Sequence, residues 1–94
     1  MAKFSIITCT FNSEAHIEKT LKNLYSQTFQ NFEHIIVDNC SKDKTIEIIK
    51  NLSFPRRILI SEKDKGIYDA FNKGIKRSTG DIVGFLHSTD QYKE

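Results

Sequence analysis

The sequence is poor in the residues that mark specialised protein classes. Of its 94 residues, two are cysteine, one is proline and none is tryptophan. Cys9 and Cys40 lack the spacing of a metal site. We expect them to be free thiols of a cytoplasmic protein, with a Cys9–Cys40 disulfide as the alternative. Association with the inner face of a membrane is compatible with this location.

Excess charge and long apolar runs are also missing. The 14 basic and 12 acidic residues leave a net charge of +2, which is too small to indicate a nucleic-acid partner. No run approaches the about 20 apolar residues of a membrane-spanning helix. The amino terminus shows no pattern of a secretion signal. Length and composition predict one small globular domain over residues 1–94.

Strand-like and helix-like segments alternate along the chain. Apolar and β-branched residues predict strands at 3–10, 33–38, 57–60 and 81–86. Apolar residues at helical spacing predict helices that run to about residue 28, from about 45 to 52, and from about 67 to 77. Asn12 or Ser13 is the predicted N-cap of the first helix, and Ser41 that of the second. This alternation predicts an α/β fold with a parallel sheet.

Polar residues follow three of these strands, at 8–12, 38–39 and 87–90. If the fourth strand lies beside the first, the sheet order is 3-2-1-4 and these segments meet at one crevice. Free N–H groups at the starts of the first two helices would favour an anion such as phosphate there. No glycine-rich phosphate loop is present, so a phosphate would need a metal. Asp90, beside the Ser88 and Thr89 oxygens, predicts a Mg²⁺ or Mn²⁺ site.

Three segments, taken together, resemble the amino-terminal half of the family 2 glycosyltransferases. These are inverting enzymes of the GT-A fold that use nucleotide-activated sugars. The matching segments are SIITCTFNSEAHIEKTLKNLYSQTF, FEHIIVDNCSKDKT and ISEKDKGIYDAFNKGIKRSTGDIVGFLHSTD. The resemblance implies a three-layer, Rossmann-like half-domain that binds the sugar donor. In a longer enzyme, it implies transfer of a sugar from UDP or a similar carrier to an acceptor saccharide hydroxyl, with inversion.

The resemblance also assigns residues to the donor. Thr8, Thr10 and Asn12 would line the base and ribose, and Asp38 would accept a hydrogen bond from the uracil imide. Lys65 and Asp69 would flank the sugar-phosphate. The family's G-x-x-x-A-x-N-x-G run corresponds to Gly66, Ala70, Asn72 and Gly74. For Ala70 and Gly74, close helix packing is an equal explanation.

Two departures from the family pattern limit what this resemblance implies. The family carries two adjacent aspartates after the fourth strand, where this chain has Thr89 and Asp90. A Mg²⁺ or Mn²⁺ ion would therefore be held by Asp90, with Thr89 or His87 as further ligand, and less strongly. The catalytic base and acceptor site belong to family sequence beyond residue 94. The chain is then either a donor-binding piece of a longer enzyme or a non-catalytic nucleotide-binding or interaction module.

Two further expectations concern phosphoryl transfer and self-association. A response-regulator fold with Asp38 as phosphoacceptor needs an acidic pair after the first strand, and Thr8-Cys9-Thr10 supplies none. That function is excluded. The apolar fourth strand, 81–86, would lie at a sheet edge, and exposed apolar edges pair with other chains. We therefore expect a homodimer or strand exchange through this strand.

Overall fold

Four strands and three helices alternate along the chain in the predicted order. The computed structural model describes residues 3–28 and 31–86. The elements are β1 (Phe4–Thr10), α1 (Ile17–Tyr25), β2 (Phe32–Asp38), α2 (Thr45–Asn51), β3 (Arg57–Ser61), α3 (Ile67–Arg77) and β4 (Ile82–Phe85).

The strands form one parallel sheet in the order β3-β2-β1-β4. The predicted return of the fourth strand to the side of the first is confirmed, with Phe4 opposite Ile82 and Ile7 opposite Phe85. Because all four strands are parallel, their carboxyl ends lie at the same edge of the sheet. The loops that follow them are therefore brought together, as a ligand site in an open α/β sheet requires.

Helices cover both faces of the sheet, which gives three layers. On one face, Ile17 and Leu21 of α1 and Ile49 of α2 pack against Ile36 of β2. On the other face, Ile67 and Ala70 of α3 pack in a core built from four strand residues, which are Ile7, Cys9, Ile35 and Val37. Burial of β2 along its whole length explains its continuous apolar run, since both of its faces are covered.

The contact between α3 and β1 is very close. A Cβ atom at Gly74 would lie 2.6 Å from Cγ2 of Ile7, and Ala70 is fully buried. Small residues at these two positions let the helix backbone approach the sheet. Packing therefore accounts for Ala70 and Gly74 without any role in ligand binding.

α1 begins later than predicted, and the predicted caps of α1 and α2 are wrong. α1 has His16 as its N-cap and α2 has Lys44, and neither makes a side-chain capping bond. Asn12, Ser13 and Ser41 instead make hydrogen bonds between loops, described below. α1 also ends at Tyr25 rather than near residue 28.

The structure also bears on the state of the two cysteines and on membrane-spanning helices. Both cysteines are free, with Cys9 buried and Cys40 exposed, so the disulfide alternative is wrong. Within residues 3–28 and 31–86, no helix combines the length and apolar character that crossing a bilayer demands.

Candidate functional site

Three loops meet at the carboxyl edge of the sheet, after β1, β2 and β3. The amide of Asn39 donates to the carbonyl of Thr10 at 2.9 Å, and the amide of Glu62 donates to the carbonyl of Asp38 at 3.0 Å. These bonds continue the pairing of the strands beyond their ends. The loops therefore start from fixed positions relative to one another.

Asn12 joins the first loop to the second. Its amide donates to Oγ of Ser41 at 2.8 Å, and its side-chain Oδ1 accepts from the amide of Lys42 at 2.9 Å. Asn12 has a φ of 48° and Cys40, on the opposing loop, a φ of 49°. L-residues adopt this left-handed conformation at a cost, with asparagine among the most tolerant. The bonds across the two loops offset that cost.

Asp38 lies at the centre of the same network and is fully buried. Its Oδ1 accepts from Oγ of Thr10 at 2.6 Å and from Oγ of Ser41 at 2.5 Å. Its Oδ2 accepts from the amide of Ser41 at 2.7 Å and, more weakly, from Oγ of Ser61 at 3.4 Å. Thr10, Asn12 and Asp38 are thus brought together. A ligand that bonded to Asp38 directly would have to displace one of these donors.

Several amides near the starts of the first two helices already have partners, and the expected anion site there stays a prediction. The amide of Ser13 donates to Oγ1 of Thr45 at 2.7 Å, and the amides of Glu14 and Thr45 donate to the carboxylate of Asp43. Burial alone would raise the pKa of Asp43, but the bonds from Thr45 and Glu14 lower it. The amides of Ser13 and Glu14 thus join the two loops and are not available to an anion.

Thr8 lies apart from this network, deeper along β1. Its Oγ1 is 2.8 Å from Nε2 of His34, and Nδ1 of His34 is 2.7 Å from the hydroxyl of Tyr25. Desolvation, with a smaller effect of Arg57, lowers the pKa of His34 to about 3, so the ring is neutral at physiological pH. Thr8 is fully buried and contributes no surface to the loops at the sheet edge.

A cavity of about 180 Å³ opens between the three loops. It is lined by Phe11, Asn39, Cys40, Lys42 and Lys63. The ring of Phe11 is half-buried and both lysines are exposed. The sequence analysis assigned no role to Phe11 or Lys63. The available signal was the position of Phe11, directly between Thr10 and Asn12 at the end of a strand.

Lys65 and Asp69 lie on the other side of the third loop, toward α3. The amide of Lys65 donates to Oδ2 of Asp69 at 2.9 Å, so Asp69 satisfies a donor at the start of that helix. Nζ of Lys73 is 3.2 Å from Glu62 and 3.7 Å from Asp69. Desolvation would lower the pKa of Lys73, but the carboxylates of Glu62 and Asp69 raise it above its ordinary value.

A second depression, of about 370 Å³, adjoins Asp69 and Lys73. The third loop borders both cavities, since Glu62 lines this one and Lys63 lines the first. The amide of Asp64 in the same loop donates to Oδ1 of Asn39 at 2.9 Å. A wider hollow of about 450 Å³ lies on the outer face of α1. Its lining is a set of solvated polar side chains remote from the sheet edge, so we do not assign it a ligand.

The predicted metal ligands His87, Thr89 and Asp90 lie outside the described residues. Between residues 3 and 86, leaving out 29–30, no group of three or more His, Cys, Asp and Glu side chains could hold a metal ion. β4 runs parallel to β1 toward the edge that carries the cavity, and its last residue, Phe85, lies opposite Ile7. The segment that contains Asp90 therefore follows a strand that runs toward this edge.

The sequence profile described as glycosyl transferase family 2 matches residues 5–94. The chain belongs to this family. It is 43% identical over 85 residues to a dolichyl N-acetyl-α-D-glucosaminyl phosphate 3-β-D-2,3-diacetamido-2,3-dideoxy-β-D-glucuronosyltransferase of Methanococcus voltae, covering 83% of this chain and 26% of that protein. The family identification confirms the resemblance found in the sequence.

Two solved structures of glycosyltransferases share the fold. Staphylococcus aureus TarS (residues 1–349), in complex with UDP, superimposes with a TM-score of 0.82 at 32% identity, covering 92% of this chain and 27% of TarS. The mannosyltransferase PcManGT of Pyrobaculum calidifontis, in complex with GDP-Man and Mn²⁺, gives 0.80 at 28% identity, covering 87% of this chain and 26% of that enzyme. The GT-A fold is thereby confirmed. The chain spans about a third of the length of the first curated relatives that it matches.

Proposed function

We propose that this chain binds the nucleotide part of a sugar donor for a family 2 glycosyltransferase. In the whole enzyme, the sugar would pass from UDP or a similar carrier to an acceptor saccharide hydroxyl, with inversion. The observation that supports this most directly is the cavity beside Phe11 at the carboxyl edge of the sheet, with Lys42 and Lys63 at its rim. Free cysteines agree with a cytoplasmic location, where thiols stay reduced.

The cavity has the chemistry that a nucleotide needs. An aromatic face such as that of Phe11 stacks on a base, which contributes about 1 to 3 kcal/mol per base. Two ammonium groups at the rim can bind phosphate oxygens. Asn12 and Asp38 would hold the walls of this cavity, because both bind the loop that carries Lys42. A direct contact of the base with Asp38, and contacts of the sugar-phosphate with Lys65 and Asp69, are part of the proposal.

A divalent metal fits the donor set, because the Asp90 carboxylate and the Thr89 hydroxyl are hard oxygen ligands suited to Mg²⁺ or Mn²⁺. When bound, the ion would neutralise charge on the donor's diphosphate. With a threonine where the family has an aspartate, we expect weaker metal binding. The PcManGT complex with Mn²⁺ supports the choice of ion.

Isothermal calorimetry tests the proposal. We expect UDP to bind, Mn²⁺ to tighten binding, and Phe11→Ala to weaken it about tenfold or more, in line with the loss of base stacking. Lys42→Ala and Lys63→Ala should weaken the binding of UDP but leave the binding of uridine unchanged, since uridine has no phosphate. Lys50→Ala, an exposed lysine of α2, is the control.

The same titrations decide between the two candidate functions. The replacement of the family's aspartate by Thr89 favours a non-catalytic module, for which UDP would give no heat and Mn²⁺ no effect. Binding of UDP that Phe11→Ala, Lys42→Ala and Lys63→Ala all leave unchanged would contradict the cavity as the nucleotide site. Asp38→Asn tests the direct contact, because an amide in place of a carboxylate would alter the preference for uracil over cytosine.

A further inference from the structure

A second buried polar cluster lies on the sheet, away from the carboxyl edge and outside the candidate site. Ser5 of β1 and Glu33 of β2 are opposite each other in the sheet, and their exposed fractions are 0% and 7%. The connection from α3 to β4, residues 78–81, runs over these two side chains. The donor-binding site described above uses none of them.

Glu33 binds that connection with both of its oxygens. Its Oε2 accepts from Oγ of Ser5 at 2.5 Å and from the amide of Thr79 at 2.5 Å. The hydroxyl of Thr79 lies 3.1 Å from each carboxylate oxygen. Oγ of Ser5 in turn accepts from the amide of Gly80 at 2.8 Å. One carboxylate and one hydroxyl thus bind two successive residues just before β4.

The connection is held against β1 with almost no free space. A Cβ atom at Gly80 would lie 2.5 Å from Oγ of Ser5 and 2.8 Å from the carbonyl oxygen of Lys3. That carbonyl accepts from the amides of Asp81 and Ile82 at 2.8 and 3.2 Å. A shift of β4 along β1 would therefore break the bonds at Glu33 and Ser5 together with the first bonds of the strand.

Hydrophobic burial alone holds β4 weakly. The strand has four residues, and Ile82 and Phe85 are 46% and 48% exposed. A buried carboxylate is costly unless its oxygens are fully bonded, and apolar residues often stabilise such a position better. Burial by itself would raise the pKa of Glu33, but the bonds from Ser5 and Thr79 lower it. The charged form is therefore the one that the cluster is built to hold.

We propose that Glu33 is a positioning residue that fixes the register of β4 on β1, and thereby the place where the chain leaves the sheet toward Asp90. The proposal has a structural half, the register of β4 on β1, and a functional half, the placing of the segment that carries the proposed metal site. Only the functional half rests on the proposed donor and metal binding. Glu33 itself does not contact the nucleotide-sugar in this proposal. It acts only through Thr79, Gly80 and the strand that follows.

Hydrogen exchange tests the structural half without any ligand. In Glu33→Gln and Thr79→Val, we expect the amides of Ile82 and Leu86, which donate to the carbonyls of Lys3 and Ile7, to exchange about tenfold faster, because a hydrogen bond to a charged group is lost. The amides of Asn39 and Glu62 at the other end of the sheet should keep their rates. Thr79→Ser, which retains the hydroxyl, and Glu47→Gln, an exposed acid of α2, should match the wild type. Unchanged exchange in β4, or equal acceleration throughout the sheet, would overturn the proposal.

Calorimetry tests the functional half. The gain in UDP affinity on adding Mn²⁺ should fall about tenfold in Glu33→Gln and Thr79→Val, the same hydrogen-bond loss, while the affinity for UDP without metal stays unchanged. If the amides of β4 exchange faster in these variants but Mn²⁺ still raises the UDP affinity as in the wild type, Glu33 does not position the site. If the wild-type chain binds no UDP at all, the donor-binding function fails, and the exchange rates still decide whether Glu33 fixes β4. Thr79→Val keeps the carboxylate, so it serves if Glu33→Gln does not fold.

Discussion

His34 shows how much a single buried polar side chain can do within a strand of the sheet. It is fully buried and its two ring nitrogens contact Thr8 and Tyr25. The ring of Tyr25 stacks on Phe54 with centroids 4.5 Å apart. The histidine thus links β1 to α1 and to the segment before β3, and its burial lowers its pKa so that the ring is neutral.

The first prediction at this scale follows from that neutrality. An unfolded chain takes up a proton on histidine near pH 6.5, whereas folded His34 does so only at about 3, so the folded state loses stability as pH falls between these values. We expect the free energy of unfolding to drop by about 2 to 3 kcal/mol between pH 7.5 and 4.5, at about 1.4 kcal/mol per pH unit. Urea unfolding at several pH values measures it.

Substitution separates His34 from other acid-sensitive groups. His34→Gln can still bond to Thr8 and Tyr25, and it should flatten the pH dependence within this window. His16→Gln, at the exposed N-cap of α1, is the matched control and should retain the wild-type slope. The same slope in His34→Gln and the wild type would show that the ring does not carry the acid sensitivity.

At the scale of elements, the helix starts show why local signals misled the prediction of caps. Asn12, Ser13 and Ser41 are good N-cap residues by type. In the folded chain, the loops after β1 and β2 lie side by side, so their polar groups bond to one another instead. Side-chain type predicted that these residues bond to backbone amides nearby. For Asn12 and Ser41 it could not say which amides, because their partners, Lys42 and Asn12, lie on the other loop and far away in sequence.

The contact between α3 and β1 leads to a prediction for this element. Gly74→Ala would place a methyl group 2.6 Å from Cγ2 of the fully buried Ile7, and overpacking of this kind costs about 1 to 3 kcal/mol. Chemical denaturation should show that loss of stability. In the background of Ile7→Ala, the added methyl has room, so Gly74→Ala should cost little there. An equal cost in both backgrounds would point to the helix backbone and not to Ile7.

At the scale of the whole molecule, β4 is one of the two edge strands of the described sheet. Among the described residues it pairs only with β1, and it leaves Ile82 and Phe85 about half exposed. Unpaired apolar edges favour pairing with another chain. The expected homodimer or strand exchange through this strand stays a prediction.

Light scattering across a concentration series tests this prediction. We expect the weight-average mass to rise toward that of a dimer, and Ile82→Lys to abolish the rise, because edge lysines oppose strand pairing. Tyr68→Lys is the control, since Tyr68 is 66% exposed on α3 and lies outside the edge strand. A clean monomer at high concentration would contradict self-association through β4.

The sequence by itself determined the order of elements, the parallel sheet and the family, because these depend on apolar periodicity and on motifs that are local in the chain. It also identified Thr10, Asn12 and Asp38 as neighbours, since residues at the ends of parallel strands must meet. Only the tertiary structure decided that Thr8 turns to His34, that Asp38 is saturated by donors, that Phe11 and Lys63 line the cavity, and that Glu33 binds the turn before β4. Each of these depends on contacts between segments far apart in sequence, and such contacts are set by packing and hydrogen bonding in three dimensions.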